Sequence, residues 1–592
     1  MTPSRSEPAQ TAGLLRRIMP FWLGFSAIYL LYRWPFIARL RQADPDDTLR
    51  LVQVRDLLKG QGWFDLHQYR IDPPQGVVMH WSRLVDLPIA LVELALRPLL
   101  GAGLAEQAAS VIVPLATFGA ILFVLARVAA RLFDAQLAGY VAMLAGTSFP
   151  IVTQILPTRV DHHGWQIVAA AIALLGMVDS DLRRGGRIAG AAIAVGMAIS
   201  LELLPLAALF GAIFALGWLR APDQATRFRN FATTLAAVSF VAFALTRGPD
   251  WTNYCDAVSP AYLVGLAVAA IGTEIVSRLA GTSPMRILVG LGLTGLAAGA
   301  TVLAIAPACS AGPFGGLDPL LTKVWHDNVL EGLPVWWLDN PAMVQWTIPP
   351  LVGLLAAWQL YRASDGARRQ TWLDYLLLLA GSLLLGTMVL RSMAFCIAFA
   401  LVPLAWLVRS LVQRMEITRE PVRRIAVGLT MVAIVMPALP VYLVGSAFGA
   451  DKTVSTQATA QAKAVASHDP QLALPALAAL PAGTILAPLD EGPWLLLHTP
   501  HAVVATGHHR GALPMHDVMV AFIVDPPVAR TILDRHGVRY VVMDPATNEV
   551  KTYRAYGPHG FAARVSKGEI PDWLRPLPMP KESGVLAWEV RR

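Results

Sequence analysis

Apolar runs long enough to cross a bilayer recur along most of the chain, separated by short polar segments. The first, Ile18 to Leu40, follows a polar, basic start at Met1–Arg17 and carries only Arg33 and Arg39 near its far end. No small-x-small exit follows it, so it reads as an uncleaved first helix and not as a signal peptide. After a polar stretch from Arg41 to about Asp86 come Ala108–Phe133, Ala138–Leu156, Trp165–Val178, Ile188–Leu203, Leu204–Trp218, Phe231–Leu245 and Ala261–Ile275. Ile287–Ala306, Val344–Leu360, Leu373–Val389, Ala394–Val408 and Ala426–Val444 complete the series. Several fall short of the roughly 20 residues a span prefers, so their flanks must snorkel or the helices must stand close to the membrane normal. The pattern predicts about 13 transmembrane helices. That count includes a turn at Glu202–Pro205, and without the turn the sidedness of everything after it reverses.

Short basic clusters test the arrangement. Arg183–Arg187, Arg220–Arg229, Arg362–Arg369 and Arg409–Arg424 all fall on one side when spans alternate from a cytoplasmic amino terminus, as Lys and Arg resist translocation. Arg41–Gln107, Pro157–His163, Gly248–Pro260, Cys309–Met343 and the tail are then outside. The tail changes character, with β-type runs at Thr484–Ala487, His501–Ala505 and Arg539–Met543 and a helix expected over Val528–His536, between Pro527 and Gly537. An Ala-rich linker covers Thr453–Ala482. The expected organisation is a cytoplasmic tail at 1–17, a helical membrane domain at 18–447 whose first external loop is 41–107, and a small extracytoplasmic α/β domain at 448–592.

Composition supports lipid as the main solvent. A chain of 592 residues would suggest roughly four soluble domains, but 55% hydrophobic and 15% charged residues leave too little polar surface to wrap them. The net charge of +8 lies in clusters between spans and forms no continuous stripe, which argues against nucleic acid. Of three cysteines, Cys255 and Cys309 fall in external loops and could pair in an oxidising compartment, while Cys396 lies within a span and reads as packing. No Walker loop, dinucleotide fingerprint, nucleophile elbow or Cys-x-x-Cys is present.

Four features carry candidate chemistry. Asp44-Pro45-Asp46-Asp47 opens the first external loop, which continues to His80, and three acids so close repel one another unless a cation or several donors sit among them. A solvated acidic turn capping the next helix is the alternative. Asp161-His162-His163 lies in a very short segment between two spans and offers oxygen and nitrogen ligands at the membrane boundary. Glu331 sits in the long loop after Cys309. Arg391 sits at the outer end of an apolar span, where an anionic headgroup or carboxylate is its expected partner and snorkelling the alternative. All four fall on one side in a topology derived without using them.

The run Asp44-Pro45-Asp46-Asp47-Thr48-Leu49-Arg50 resembles the first-loop motif of oligosaccharyltransferase catalytic subunits. His80 stands where archaeal members carry a loop histidine, and Asp161-His162-His163 resembles their second motif. Glu331 is similar to their external-loop Glu, and Arg391 to a helix Arg that contacts the lipid diphosphate. The resemblance runs in order from about Ile18 to Val444. It implies a GT-C glycosyltransferase taking a sugar or glycan from a polyprenyl-phosphate carrier to a glycan, lipid or protein acceptor outside the bacterial inner membrane. It also implies a Mg²⁺ or Mn²⁺ held by Asp44 or Asp46 with His80, Asp161 and His163. The Trp-Trp-Asp-Tyr-Gly element that reads the protein acceptor is missing, its place taken by Leu489-Asp490-Glu491-Gly492-Pro493-Trp494.

An inverting transfer follows as the expected reaction. Phosphate oxygens meet the metal and Arg391, Asp46 or Asp47 orients or deprotonates the acceptor hydroxyl, and Glu331 positions it. His162, His508, His509 and Arg510 are candidate acceptor or carrier contacts, the last three alternatively forming a surface loop. Oligomeric state is not legible. The rival reading is a transporter or flippase of lipid-linked sugars, which predicts charges deep in the spans, whereas here the acids collect in loops.

Overall fold

The computed structural model describes residues 7–42, 44–417, 420–439, 441 and 468–591. Its helices in chain order begin α1 (Glu7–Ile37), α2 (Pro45–Leu58), α3 (Arg83–Leu132), α4 (Leu137–Thr147), α5 (Phe149–Val152), α6 (His163–Met177), α7 (Leu182–Ile199) and α8 (Leu204–Arg220). They continue with α9 (Ala225–Thr246), α10 (Pro260–Leu279), α11 (Pro284–Ile305), α12 (Pro319–Val324), α13 (Asn340–Arg362), α14 (Gly366–Met388), α15 (Met393–Ile417) and α16 (Pro421–Val435). Each predicted apolar run overlaps a helix among the described residues, with Ala138–Leu156 divided at Ser148 between α4 and α5. Among the described residues, eight helical segments are long and apolar enough to cross a membrane by length and composition, and α4 and α6 are shorter apolar helices. The end of the last expected span and residues 453–467 of the expected linker lie outside the described residues.

Two compact units make up the chain. The first comprises Met1–Arg41, Trp81–Gly315 and Leu330–Val444, and the second Gln42–His80, Gly316–Val329 and Gly445–Arg592. In the first unit α15 is buried on every face from Met393 to Ala405, so it is the central helix. Only Ile287 of α11 is buried, and Leu288, Leu293 and Leu296 stand exposed, an outward apolar face suited to lipid. The α3 helix starts well before the predicted Ala108 and kinks at Gly101, whose φ of 75° is one that an L side chain resists. A disulfide joins Cys255 to Cys309, and Cys396 is free and buried.

Small residues set the closest helix contact. A Cβ added to Gly186 would lie 2.3 Å from Arg227 O, and one added to Gly190 would lie 2.5 Å from Phe231 O, so α7 and α9 touch backbone to backbone. This seats the end of α7, where the chain breaks as expected. Ser200 is extended, a single 3₁₀ turn occupies Leu201–Leu203, and Pro205 lies in the first turn of α8.

The second unit is built on a five-stranded mixed sheet of order β4-β3-β5-β7-β6, from β3 (Thr484–Leu486), β4 (Ala502–Val503), β5 (Val538–Met543), β6 (Leu574–Leu577) and β7 (Leu586–Val590). The first three strands and the Pro526–Arg535 helix coincide with predicted elements. Phe522, Tyr553, Phe561 and Trp588 fill its core. The segment after α1 joins this unit through a hairpin, β1 (His67–Gln68) with β2 (Val77–Val78), and through the sheet edge. Val503 N–H donates to Arg70 O (2.8 Å) and Asp72 N–H to Val503 O (2.9 Å). Arg70 also donates to the carbonyls of Leu496, Thr499 and His501, and Arg55 to that of Leu497, which satisfies the C-terminal end of the Gly492–His498 helix.

Gly190→Leu is expected to force α7 off α9 and to destabilise the first unit by about 1–3 kcal/mol, read as a lower midpoint of thermal unfolding in detergent. An unchanged midpoint would contradict the packing described.

Candidate active site

In the first unit the short segment before α6 is held from two sides. Arg33, near the end of α1, donates Nε to Pro157 O (3.3 Å) and Nη2 to Thr158 Oγ1 (2.8 Å), and Thr158 N–H donates to Ser110 O (2.9 Å). Thr158 sits at φ 74°, a left-handed backbone that costs a β-branched residue on the order of 1–2 kcal/mol. The turn therefore keeps one shape and delivers Asp161, His162 and His163 to the start of α6.

All three are buried. Asp161 Oδ1 accepts the His162 N–H (2.6 Å) and meets His162 Nδ1, while Asp161 Oδ2 lies 3.2 Å from His163 Nε2. His163 Nδ1 faces Gln166 Oε1 at 3.2 Å. One ligand atom from each of the three residues lies within 4.8 Å of the others. His162 Nε2 is buried and makes no hydrogen bond among the described residues, with Glu202 Oε2 3.8 Å away.

Two further acids and one base complete this cluster. Glu331, on a 3₁₀ turn at Leu330–Gly332, places Oε2 3.7 Å from His163 Nε2. Arg391, on a 3₁₀ turn at Leu390–Ser392, pairs through Nη1 with Glu202 Oε1 and lies 3.7 Å from Glu331 Oε1. The Leu390 N–H donates to Leu333 O (2.9 Å), tying these two turns together. Asp161, His162, His163, Glu331 and Arg391, picked out from sequence, thus converge in one place. Glu202 and Arg33 were missed as members. An acid inside an apolar run was the available signal for Glu202.

The remaining sequence candidates gather in the second unit. Asp44 caps α2, its Oδ1 accepting the Asp46 N–H at 2.9 Å, with Pro45 at the first position of the helix and Asp46 and Asp47 in its first turn. Asp47 is fully buried. Asp46 Oδ1 lies 3.2 Å from His508 Nε2, and His508 Nδ1 faces Thr506 Oγ1 at 2.8 Å. The rings of His80 and His509 lie 4.7 Å apart, and those of His80 and His508 lie 6.4 Å apart. Arg510 donates to Met79 O (3.0 Å). The expected ligand set therefore divides between the units, Asp161 and His163 belonging to the first and Asp44, Asp46 and His80 to the second.

The segment in place of the missing acceptor motif is also charged. Glu549 accepts the backbone N–H groups of Leu489 (2.6 Å) and Asp490 (3.0 Å). Although Asp490 keeps a face to solvent, desolvation, with the charges of Asp44 and Asp46 beside it, pushes its carboxyl up to about 6.

The fold is a helical bundle with a small α/β domain, and solved structures share it. It is similar to the archaeal oligosaccharyltransferase AglB from Archaeoglobus fulgidus solved with an inhibitory peptide and a dolichol-phosphate. The TM-score is 0.65 and the identity 14%, covering 94% of this chain and 72% of that one. For the Archaeoglobus enzyme in complex with zinc and sulfate the values are 0.58 and 16%, over 92% and 70%. ArnT from Cupriavidus metallidurans, bound to undecaprenyl phosphate, aligns over 96% and 97% with 14% identity and a TM-score of only 0.43. At these identities the likeness establishes the fold alone. No protein-family model and no curated protein matches the chain.

A carboxyl raised on folding stabilises in its neutral form, so Asp490 contributes fully below about pH 4 and loses its contribution as pH rises through about 6. Chemical denaturation is expected to show this as less than about 1 kcal/mol, since water screens a side chain still partly exposed. Asp490→Asn is expected to flatten that part of the pH profile, and an identical profile would contradict the placement.

Proposed function

We infer that the chain is an integral-membrane glycosyltransferase that moves a sugar or glycan from a polyprenyl-phosphate-linked donor to an extracytoplasmic acceptor. The acceptor is an envelope glycan, lipid or protein, and the setting a bacterial inner membrane with the site facing the periplasm. One observation carries the reading. Asp161, His163, Glu202, Glu331 and Arg391 meet on short turns beside apolar helices, which gives acids and imidazoles for a cation and a guanidinium for a phosphate in the same place.

The residues fit a divalent cation. Asp161, His162 and His163 supply one oxygen and two nitrogen donors within 4.8 Å, and the buried His162 Nε2 has no hydrogen bond among the described residues. This donor set suits Mn²⁺ better than Mg²⁺, which prefers oxygen throughout. When bound, such an ion neutralises charge growing on the departing phosphate.

This chain's own groups do the rest. Arg391 binds and orients the donor phosphate, where a planar fork of donors matches its oxygens. Glu331 positions the acceptor. Its carboxylate, on a side chain 37% exposed, also takes the acceptor proton. The acceptor oxygen bonds to the anomeric carbon as the bond from that carbon to the phosphate oxygen breaks, and the pair of electrons leaves with the polyprenyl phosphate. Exposed apolar helix faces suit the polyprenyl tail, each buried methylene contributing about 0.8 kcal/mol. The missing acceptor motif disfavours Asn-linked protein glycosylation.

Deleting the protein and comparing envelope glycolipid, polysaccharide and glycoprotein by mass is expected to show one missing sugar, which identifies the acceptor. Asp161→Asn is expected to cut transfer by on the order of 100-fold or more with carrier binding and thermal stability retained. Chelation is expected to do the same to the native protein, with Mn²⁺ restoring activity. An unchanged envelope, or loss of lipid translocation without any transfer activity in the purified protein, would contradict the reading.

A further inference from the structure

Glu202 takes no step of its own in the reaction proposed above, and its setting shows construction. It stands on a 3₁₀ turn between α7 and α8, as Arg391 stands on a 3₁₀ turn between α14 and α15. Both turns follow an extended residue, Ser200 (φ −155°, ψ 134°) and Val389 (φ −136°, ψ 104°). Both are seated by a glycine. A Cβ on Gly196 would lie 2.3 Å from Leu203 Cδ2, and one on Gly386 would lie 2.7 Å from the Met393 Cα. Two independent helix breaks are thus packed so that one carboxylate meets one guanidinium.

The meeting is partly open. The Glu202 and Arg391 side chains are 26% and 18% exposed, accessible enough for the pair to exchange partners. Arg391 Nη1 serves both Glu202 Oε1 and, at 3.7 Å, Glu331 Oε1. Glu202 Oε2 also lies 3.8 Å from His162 Nε2 and 3.9 Å from His163 Nδ1. Two carboxylates, Glu202 and Glu331, therefore share one arginine. A phosphate that approaches this arginine meets a guanidinium already engaged, and its charge is opposed by that of Glu202 across a few ångströms.

We propose that Glu202 is an internal counter-ion that competes with the carrier phosphate for Arg391. It holds the guanidinium in place before the carrier arrives, yields Nη1 to the phosphate on binding, and reclaims it to hasten departure of the spent polyprenyl phosphate. This role rests on the glycosyltransferase reading. It involves exchange of ionic partners only, with no bond made or broken.

The test is binding of undecaprenyl phosphate to the full-length protein in lipid nanodiscs, for the native protein, Glu202→Gln, Arg391→Gln and the double variant. Glu202→Gln is expected to bind roughly tenfold tighter, with slower release. In a transfer assay its KM and kcat are expected to fall together, a split that loss of structure would not produce. In the Arg391→Gln background the same change is expected to have no effect on affinity. Weaker or unchanged binding by Glu202→Gln overturns the proposal, as does tightening that persists without Arg391. Should that variant fail to fold, Glu202→Asp, whose carboxylate is drawn back by one methylene, carries the same test, with a severalfold gain expected and a loss contradicting. No binding by the native protein would overturn the glycosyltransferase reading and this role with it, whereas native binding indifferent to Glu202 overturns this role alone.

Discussion

An arginine shared between two carboxylates at the edge of an apolar bundle is the constraint around which the first unit is arranged. Neither Arg391 nor its partners Glu202 and Glu331 sits in a regular helix. Each is carried by a single 3₁₀ turn, and two of those turns lead into helices suited to cross a membrane. Interrupting a helix in apolar surroundings leaves backbone groups that need partners. Here Leu390 N–H finds Leu333 O, and Leu203 N–H finds Ser200 O. Gly386 allows the backbone at Met393 to approach closely where the second break falls. The charged groups and the breaks explain one another, since charge in this setting is tolerable only when paired, and the pairing requires the turns.

The second unit meets a different constraint, an open sheet edge. Strand β4 has only β3 as a neighbour within the tail, and the segment after α1 supplies the other side through Arg70 and Asp72. Arg70 and Arg55 then occupy carbonyls at the end of the Gly492–His498 helix, so residues from the two ends of the chain share one hydrogen-bonding system. That arrangement brings Asp46 to His508. Asp44 Oδ1 caps α2.

Legibility in the sequence followed the physics of each element. Long apolar runs have no other stable state in lipid, which is why the spans were readable along with the break after Ser200. Asp161, His163 and Arg391 stood out as polar groups at the ends of apolar runs. Glu202 did not, because in Ser200-Leu201-Glu202-Leu203-Leu204-Pro205 it looked like the mark of a turn. The first half of α3 was hidden by Glu93, Arg97 and two prolines, which read as loop, and α2 by its buried polar residues. Strands β6 and β7 alternate poorly, with Arg575, Pro576 and Glu589 among them, and are held by pairing with each other and with β5. The union of Ile71 with Val503 has no local signal.

The central claim is that the first-unit cluster holds a divalent cation beside a carrier phosphate. Electron–nuclear double resonance on the Mn²⁺-loaded protein, with undecaprenyl phosphate added, tests it most directly. Coupling of the manganese electrons to both ¹⁴N of imidazole and ³¹P, with both signals abolished by Asp161→Asn, is the predicted result. Manganese that shows neither coupling, or that binds equally well without Asp161, would contradict it.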